Sequence, residues 1–432
     1  MEFETLKKSH LKRNIIIGVV VVLIISAVIL NFARAKYRVT QSIPLVNGTI
    51  NYSLADLNAV AIYINTDSGY TKSDTIPESG YVLNEEESYC TINGEEDTNI
   101  SLSYDVATKS LSVTPMTTQG TKCYLYFDTK PITIQDIIAS KNLATRTDFS
   151  TTLKEDTTGT IYYEDTSKGT TYYFAGNPTD NWVRWAGFYW HIIRINEDGT
   201  LRLIYQGTSA NTTGSNTQTQ ISAFDSSYNN NMYVGYMYQS NQPHGLTSSS
   251  TIKGILDTWY QNNLARYADD LDGNAGFCGD REPSTSSSSS NGSGGTGTTT
   301  TYYGGYIRLI TNKAPTFECE NDSDLYTTSG SEDGNGALTY PIGLITADEV
   351  AYAGGVYATS NTSYYLYTRQ NYWTMSPYDY NGWACVFYVS SNGNFNSNIV
   401  YNRFGVRPVI NLKSNIQFSE GNGTSDKPFV VS

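Results

Sequence analysis

Short runs that alternate apolar and polar residues, each closed by Gly, Asn, Asp or Pro, fill most of this chain and direct it towards strands. YRVTQSIPLV, AVAIYIN, SLSYDV, SLSVTPM and CYLYFD come first; GTIYYED, TTYYFAG, NWVRWAG, FYWHIIRIN and LRLIYQG follow from about residue 159. A period of two lays one face of a strand on a core and turns the other to water. Composition agrees. Tyr and Gly each number 36 among 432 residues, and charged residues make up only 16%, against about a quarter in an ordinary domain. The chain carries 28 Lys+Arg against 41 Asp+Glu, a net charge of −13. With no basic run beyond the N-terminal segment, that balance argues against nucleic acid as a partner. Three His and five Cys leave little for zinc, haem or iron–sulfur ligation, so no metal and no cofactor are expected.

Residues 14–33 read NIIIGVVVVLIISAVILNFA, without a charge between Arg13 and Arg34. About twenty apolar residues make about 30 Å of helix, enough to cross a bilayer. Lys7, Lys8, Lys12 and Arg13 before the run and Arg34, Lys36 and Arg38 after it give a weak positive-inside signal. The expected layout is a cytoplasmic tail over 1–13, a single-pass transmembrane helix over 14–33, and everything beyond it outside the cell. Ala33-Arg34-Ala35 resembles a signal-peptide cleavage site, and cleavage at Ala35 would export the same residues.

The cysteines suit that compartment. Cys90 and Cys123 fall in one segment and Cys278 and Cys319 in another, and outside the cell each pair is expected to close a long loop as a disulfide. Cys385 is left over.

Residues 36–128 are expected to form a small all-β, sandwich-like domain stapled by Cys90–Cys123 and serving mainly as a spacer. Residues 129–158 read as a linker with a short helix at IQDIIASKNLA, 159–413 as a second domain, and 414–432 as a C-terminal tail. In the second domain, Ile252, Ile255, Leu256, Trp259, Tyr260, Leu264 and Tyr267 recur at three and four, which predicts a helix over 251–270 with one buried face. STSSSSSNGSGGTGTTTT over 284–301 cannot bury a core and reads as a flexible inserted loop. TADEVAY predicts a short helix with Thr346 as N-cap and Glu349 at the capping-box position.

Candidate chemistry is sparse. The aromatic run Trp182, Trp185, Phe188, Tyr189 and Trp190 has the makings of a carbohydrate platform, but its place within strand-like runs predicts burial. His191 reads as a hydrogen-bonded core or edge residue. The turn around His244 is similar to the Pro-centred calcium loop of sugar-binding C-type lectins, without a Trp-Asn-Asp partner. No G-x-S-x-G, H-E-x-x-H or phosphate-binding glycine loop occurs. The carboxylate pairs Asp269/Asp270 and Asp348/Glu349 are read as solvated surface acids and not as glycosidase acids. No base stands beside Cys385 to make it a nucleophile, and the chain is expected not to be an enzyme.

The segment from Asn371 to Asn411 stands apart. It holds eight Asn and five Tyr in 41 residues, between the regular frames YWTMSP and GVRPVI. Tyr, Asn, Ser and Gly give adaptable, low-entropy contacts in antibody paratopes, and this stretch has a similar composition.

LTYPIGLITADEVAYAGG, then YWTMSP, then GVRPVINL resembles the C-terminal half of a bacterial and phage domain of unknown function related to the formylglycine-generating-enzyme type of C-type lectin fold. The resemblance spans roughly residues 159–413. With an exported layout, it is similar to the variable proteins of diversity-generating retroelements, in which error-prone copying at adenines replaces codons near the C-terminus. The resemblance implies an α+β, C-type lectin-like second domain. It also implies a diversified ligand-binding face of Tyr378, Asp379, Tyr380, Trp383, Cys385, Phe387, Tyr388, Asn394, Asn396, Asn398, Tyr401, Arg403 and Phe404. Trp383 departs from the pattern, since an Asn codon changed only at adenines does not encode Trp. Cys385 would be one sampled residue among others. No counterpart of the paired cysteines of the formylglycine-generating enzymes surrounds it, so that oxidase activity is not expected. The expected partner is an extracellular protein or glycan; the alternatives are a fixed-specificity adhesin or, further off, a cell-wall glycan enzyme.

Overall fold

A computed structural model of the chain describes residues 43–44, 59–66, 68–77, 80–105, 110–114, 121–227, 249–282, 284, 300–331 and 334–432. The chain divides into two compact units, Met1–Lys130 and Pro131–Ser432. The fold is mostly β, which corrects the expected α+β class. The helical periodicities were real, but they occupy short segments and most of the chain is spent on strands. The membrane helix expected over 14–33 lies outside the described residues. Among the described residues no helix is long and apolar enough to cross a membrane.

The first unit carries a six-stranded sheet in the order Gly69–Ser73, Ala59–Thr66, Thr121–Thr129, Tyr89–Ile92 and Glu95–Glu96, with Tyr81–Leu83 also paired to Thr121–Thr129. A three-stranded sheet joins Ile43–Pro44, Ser110–Thr114 and Ser101–Asp105. In the Thr121–Thr129 strand, Cys123, Leu125 and Phe127 are buried while Tyr124 and Tyr126 between them are half-buried. The inner set packs with Ile62, Ile76, Cys90 and Leu102 as one core. The outer tyrosines stack across strands, Tyr63 on Tyr126 at 4.8 Å and Tyr89 on Tyr124 at 4.9 Å between ring centroids. Cys90 faces Cys123 in register, and the two form a disulfide. Because it closes a 33-residue separation, its reduction is expected to cost this unit about 3–4 kcal/mol by the loop-entropy relation. Urea unfolding with and without reductant checks this.

The larger sheet of the second unit runs Ile132–Thr133, Gln417–Glu420, Phe429–Val431, Trp182–Trp185, Phe188–Ile195, Gly169–Tyr173, Thr160–Thr166 and Asn142–Ala144. Leu201–Gly207 pairs with Phe188–Ile195 and with Val409–Leu412. Residues 129–158 and 414–432 are therefore not simply linker and tail, because each supplies strands to this sheet. Strands of two to four residues are too short to show alternation, which is why sequence pattern passed over them. A second sheet is ordered Gln220–Ala223, Arg403–Val406, Tyr372–Tyr380, Ala384–Val389 and Phe395–Ile399, with Thr301–Tyr302 on Tyr372–Tyr380. Only Arg407 and Pro408 separate the Arg403–Val406 strand of one sheet from the Val409–Leu412 strand of the other, so the GVRPVI frame ties the sheets together.

The long helix is Thr251–Asn263, with Ser250 as N-cap accepting from the Lys253 N–H and Ile252, Leu256 and Tyr260 buried. It ends seven residues before the expected Asp270. Ala265–Asp270 follows as a tighter turn, broken at Tyr267 by non-helical backbone angles. Ala347–Tyr352 is capped as the pattern requires: the Thr346 side chain accepts from the Glu349 N–H, and the Glu349 carboxylate accepts from the Thr346 N–H. The second disulfide, Cys278–Cys319, is formed. The low-complexity residues 285–299 and the turn at His244 lie outside the described residues.

Candidate functional site

The frame around the Asn-rich segment is anchored in the core. Tyr372 through Pro377 are all buried. Trp373 Nε1 donates to the Ser222 carbonyl at 3.0 Å, the Thr374 hydroxyl to the Phe387 carbonyl at 2.8 Å, and the Met375 N–H to the Ile345 carbonyl at 2.9 Å. Arg407 is fully buried. Its guanidinium donates to the Tyr205 carbonyl at 3.0 Å and to Gln206 Oε1 at 2.6 Å, and lies 4.6 Å over the Tyr372 ring. Its fork thus locks the GVRPVI frame to the large sheet.

On this frame the thirteen residues of the expected face fall into three sets. Trp383 and Tyr401 are 50% and 59% exposed, which is unusual for side chains of this size. Cys385 pairs with Ile399, and the Val400 N–H donates to the Ala384 carbonyl at 3.0 Å, so the antiparallel register sets the Trp383 and Tyr401 turns side by side. Arg403 is exposed beside them and donates to the Ile221 carbonyl at 3.1 Å; Ile221 is itself 48% exposed.

The second set is half-buried: Tyr378, Tyr380, Cys385, Tyr388, Asn396, Asn398 and Phe404. Tyr388 and Phe404 lie 4.6 Å apart between ring centroids, and Phe404 lies 4.6 Å from the buried Trp373. Tyr378 joins a different aromatic group. Its ring lies 5.2 Å from Tyr306 and 5.1 Å from Phe387, and its hydroxyl is 3.3 Å from that of Tyr357. Tyr306 and Tyr357 lie outside the segment that sequence analysis singled out.

Asp379, Phe387 and Asn394 form the third set and are a correction: all three are buried, Phe387 completely. The strand register shifts on both sides of Pro377, and such irregularities re-aim side chains that simple alternation would place outside. Asn394 is turned inward, its Oδ1 accepting from the Ser390 hydroxyl at 2.7 Å. Burial pushes the Asp379 carboxyl up to about 6, against the opposing effect of the neighbouring Cys385 thiol, and burial pushes the Cys385 thiol well above its usual range.

Two results follow. Phe387→Ala is expected to cost about 3–5 kcal/mol, as for a large aromatic removed from a packed core, and denaturant midpoints check it. A carboxyl raised in the folded state is costly to ionise. Asp379 therefore lowers stability progressively as pH rises from about 4 through about 6. Asp379→Asn should gain roughly 1–3 kcal/mol at pH 7–8 and almost nothing near pH 4, read from unfolding curves across that range.

Elsewhere in the unit the aromatic run is core, as expected: Trp182, Trp185 and Trp190 are buried. His191 is buried as well, with Nδ1 2.9 Å from Asn181 Oδ1, and burial holds its imidazole down at about 3, so it is neutral at pH 7. The reading of Asp348 and Glu349 as solvated acids is overturned, since both are buried. Glu349 Oε1 lies 2.5 Å from Arg202 Nε, and Asp348 Oδ2 lies 3.0 Å from an Arg308 nitrogen. Arg308 also meets Asp280 at 2.6 Å. These partners are remote in sequence and share no motif; the capping box at Thr346 was the only local sign that Glu349 is structurally engaged. Among the described residues, no group of three or more His, Cys, Asp or Glu is placed to hold a metal ion.

A family described only as a domain of unknown function, DUF6273, matches residues 335–414, which contain the Ala347–Tyr352 helix and both frames of the face. No curated protein and no solved structure matches the chain. The family match carries no statement of a lectin-like fold or of retroelements.

Proposed function

We propose that this chain is an exported ligand-binding protein whose contact surface is the pair of turns bearing Trp383, Tyr401 and Arg403. The observation that carries the reading is their exposure on adjacent turns of a sheet whose frame, from Tyr372 to Pro377 and through Arg407, is buried. Trp, Tyr and Arg are the residue types that most often dominate binding energy, and a buried frame lets the residues above it change at little cost to folding. Two disulfides within the described residues support an oxidising location.

In this reading the exposed and half-buried members of the segment are the positions diversified between copies, as in the retroelement variable proteins that the segment resembles. The ligand is an extracellular protein or glycan, and the protein binds without turning its ligand over. The test is binding of the purified chain to arrayed glycans and to bacterial and host cell surfaces. It is repeated with Trp383→Ala, Tyr401→Ala and Arg403→Ala. Loss of a signal with an unchanged melting temperature supports the reading. A signal that survives all three substitutions refutes it.

A further inference from the structure

The second unit holds a cavity of about 490 Å³, remote in sequence from the Trp383 and Tyr401 turns. Its wall is built from the Thr160–Gly169 hairpin, the end of the Phe188–Ile195 strand, the Cys278–Cys319 disulfide and the start of the Ala347–Tyr352 helix. The volume is within the range of about 300–1,000 Å³ usual for small-ligand sites. Three arginines line it, and they are not equivalent.

Arg308 is saturated, with Asp280 at 2.6 Å and Asp348 at 3.0 Å and 3.1 Å. Arg202 is held at 2.5 Å by Glu349 and donates to the Gly276 carbonyl at 3.0 Å. Arg194 is held loosely. Its contacts to Thr171, Glu197 and Glu349 are all 3.4 Å, and its Nε makes no hydrogen bond although the side chain is only 11% exposed. Its guanidinium lies 4.8 Å over the Phe317 ring, which fixes its plane. Two residues on, Asn196 also lines the cavity. It is 5% exposed, and its Oδ1 has no hydrogen-bond partner.

A buried guanidinium with spare donors, beside a buried carbonyl with a spare acceptor, asks for an anion that carries a donor of its own. Leaving such groups unmet costs on the order of 1–3 kcal/mol each. We propose that this cavity binds a small monocarboxylate with a neighbouring hydrogen-bond donor: the carboxylate meets the Arg194 fork, and the donor meets Asn196 Oδ1. Glu197, Asp198 and Glu318 also line the cavity. Their charge disfavours dianions and favours a compensating ammonium, which makes a free α-amino acid the fitting ligand. Sugar acids share the carboxylate and offer hydroxyl donors in its place. The inference is independent of the surface reading above.

The experiment is thermal unfolding and calorimetric titration of the full chain with the free amino acids in one arm. Glucuronate, galacturonate and N-acetylneuraminate form the other. At about 10 mM, a ligand binding in the millimolar range or tighter should raise the melting temperature by about 2–4 °C or more. The arm that responds identifies the source. Arg194→Lys keeps the charge but loses the fork, and Asn196→Asp replaces the neutral acceptor with a charge that competes for the same guanidinium. Each should weaken binding by about tenfold or more, and Trp383→Ala should leave it unchanged. Silence in both arms, or equal affinity in the wild type and both cavity variants, overturns the proposal.

Discussion

Glu349→Ala is expected to destabilise the second unit by about 3–5 kcal/mol, the usual cost of removing one partner of a buried ion pair. The carboxylate is 3% exposed and sits between two arginines, 2.5 Å from Arg202 and 3.4 Å from Arg194. Its second oxygen accepts the Thr346 N–H at 2.9 Å and so closes the helix cap. Alanine removes both roles and leaves the Arg202 charge in the interior without this carboxylate. Glu349→Gln keeps a cap acceptor and removes only the charge, so the two variants together separate cap from ion pair. The cap alone is worth about 0.5–2 kcal/mol. Urea midpoints at constant slope give both numbers. A loss below about 1 kcal/mol for alanine would show that Arg202 is satisfied in other ways.

Trp383→Ala and Tyr401→Ala should act on binding and not on folding. Each side chain is at least half exposed, so its loss should change stability by less than about 0.5 kcal/mol. If the two turns are the centre of the contact, each truncation should cost about 2 kcal/mol or more of binding, roughly 30-fold in Kd. Arg403→Ala, at the side of the pair, should cost less, because a charge at an interface rim contributes mainly to association rate. Phe387→Ala provides the contrast: it should lower stability by several kcal/mol and affect binding only through unfolding. Equal losses of stability at Trp383 and Phe387 would mean that the turns belong to the core.

Much of this was legible from the chain itself. Cys123, Leu125 and Phe127 alternate with half-buried tyrosines as the pattern demands. Both disulfides form between the cysteines that fall together in sequence. The Thr346 cap is where the Thr-x-x-Glu spacing puts it. What escaped was non-local. Asp348 and Glu349 look like surface acids until Arg202 and Arg308 arrive from distant segments. Asp379 and Phe387 look like members of a polar, exposed hairpin until a register shift near Pro377 turns the strand. The aromatic neighbours of Tyr378, Tyr306 and Tyr357, come from outside the segment altogether. Local pattern reports a residue's own preference for water. It carries no information on which distant side chain will meet it.

That distinction separates the frame from the face, and the gene itself can report it. The direct test is deep sequencing of the 3′ end of the gene and its flanks from one population. The account predicts differences between copies at exposed and half-buried positions such as Tyr380, Tyr401 and Arg403, matched to adenines in a nearby near-copy. Asp379, Phe387 and Asn394 should be constant, because their side chains are buried. A uniform 3′ end without a near-copy, or changes falling as often on the buried residues as on the exposed ones, would contradict it.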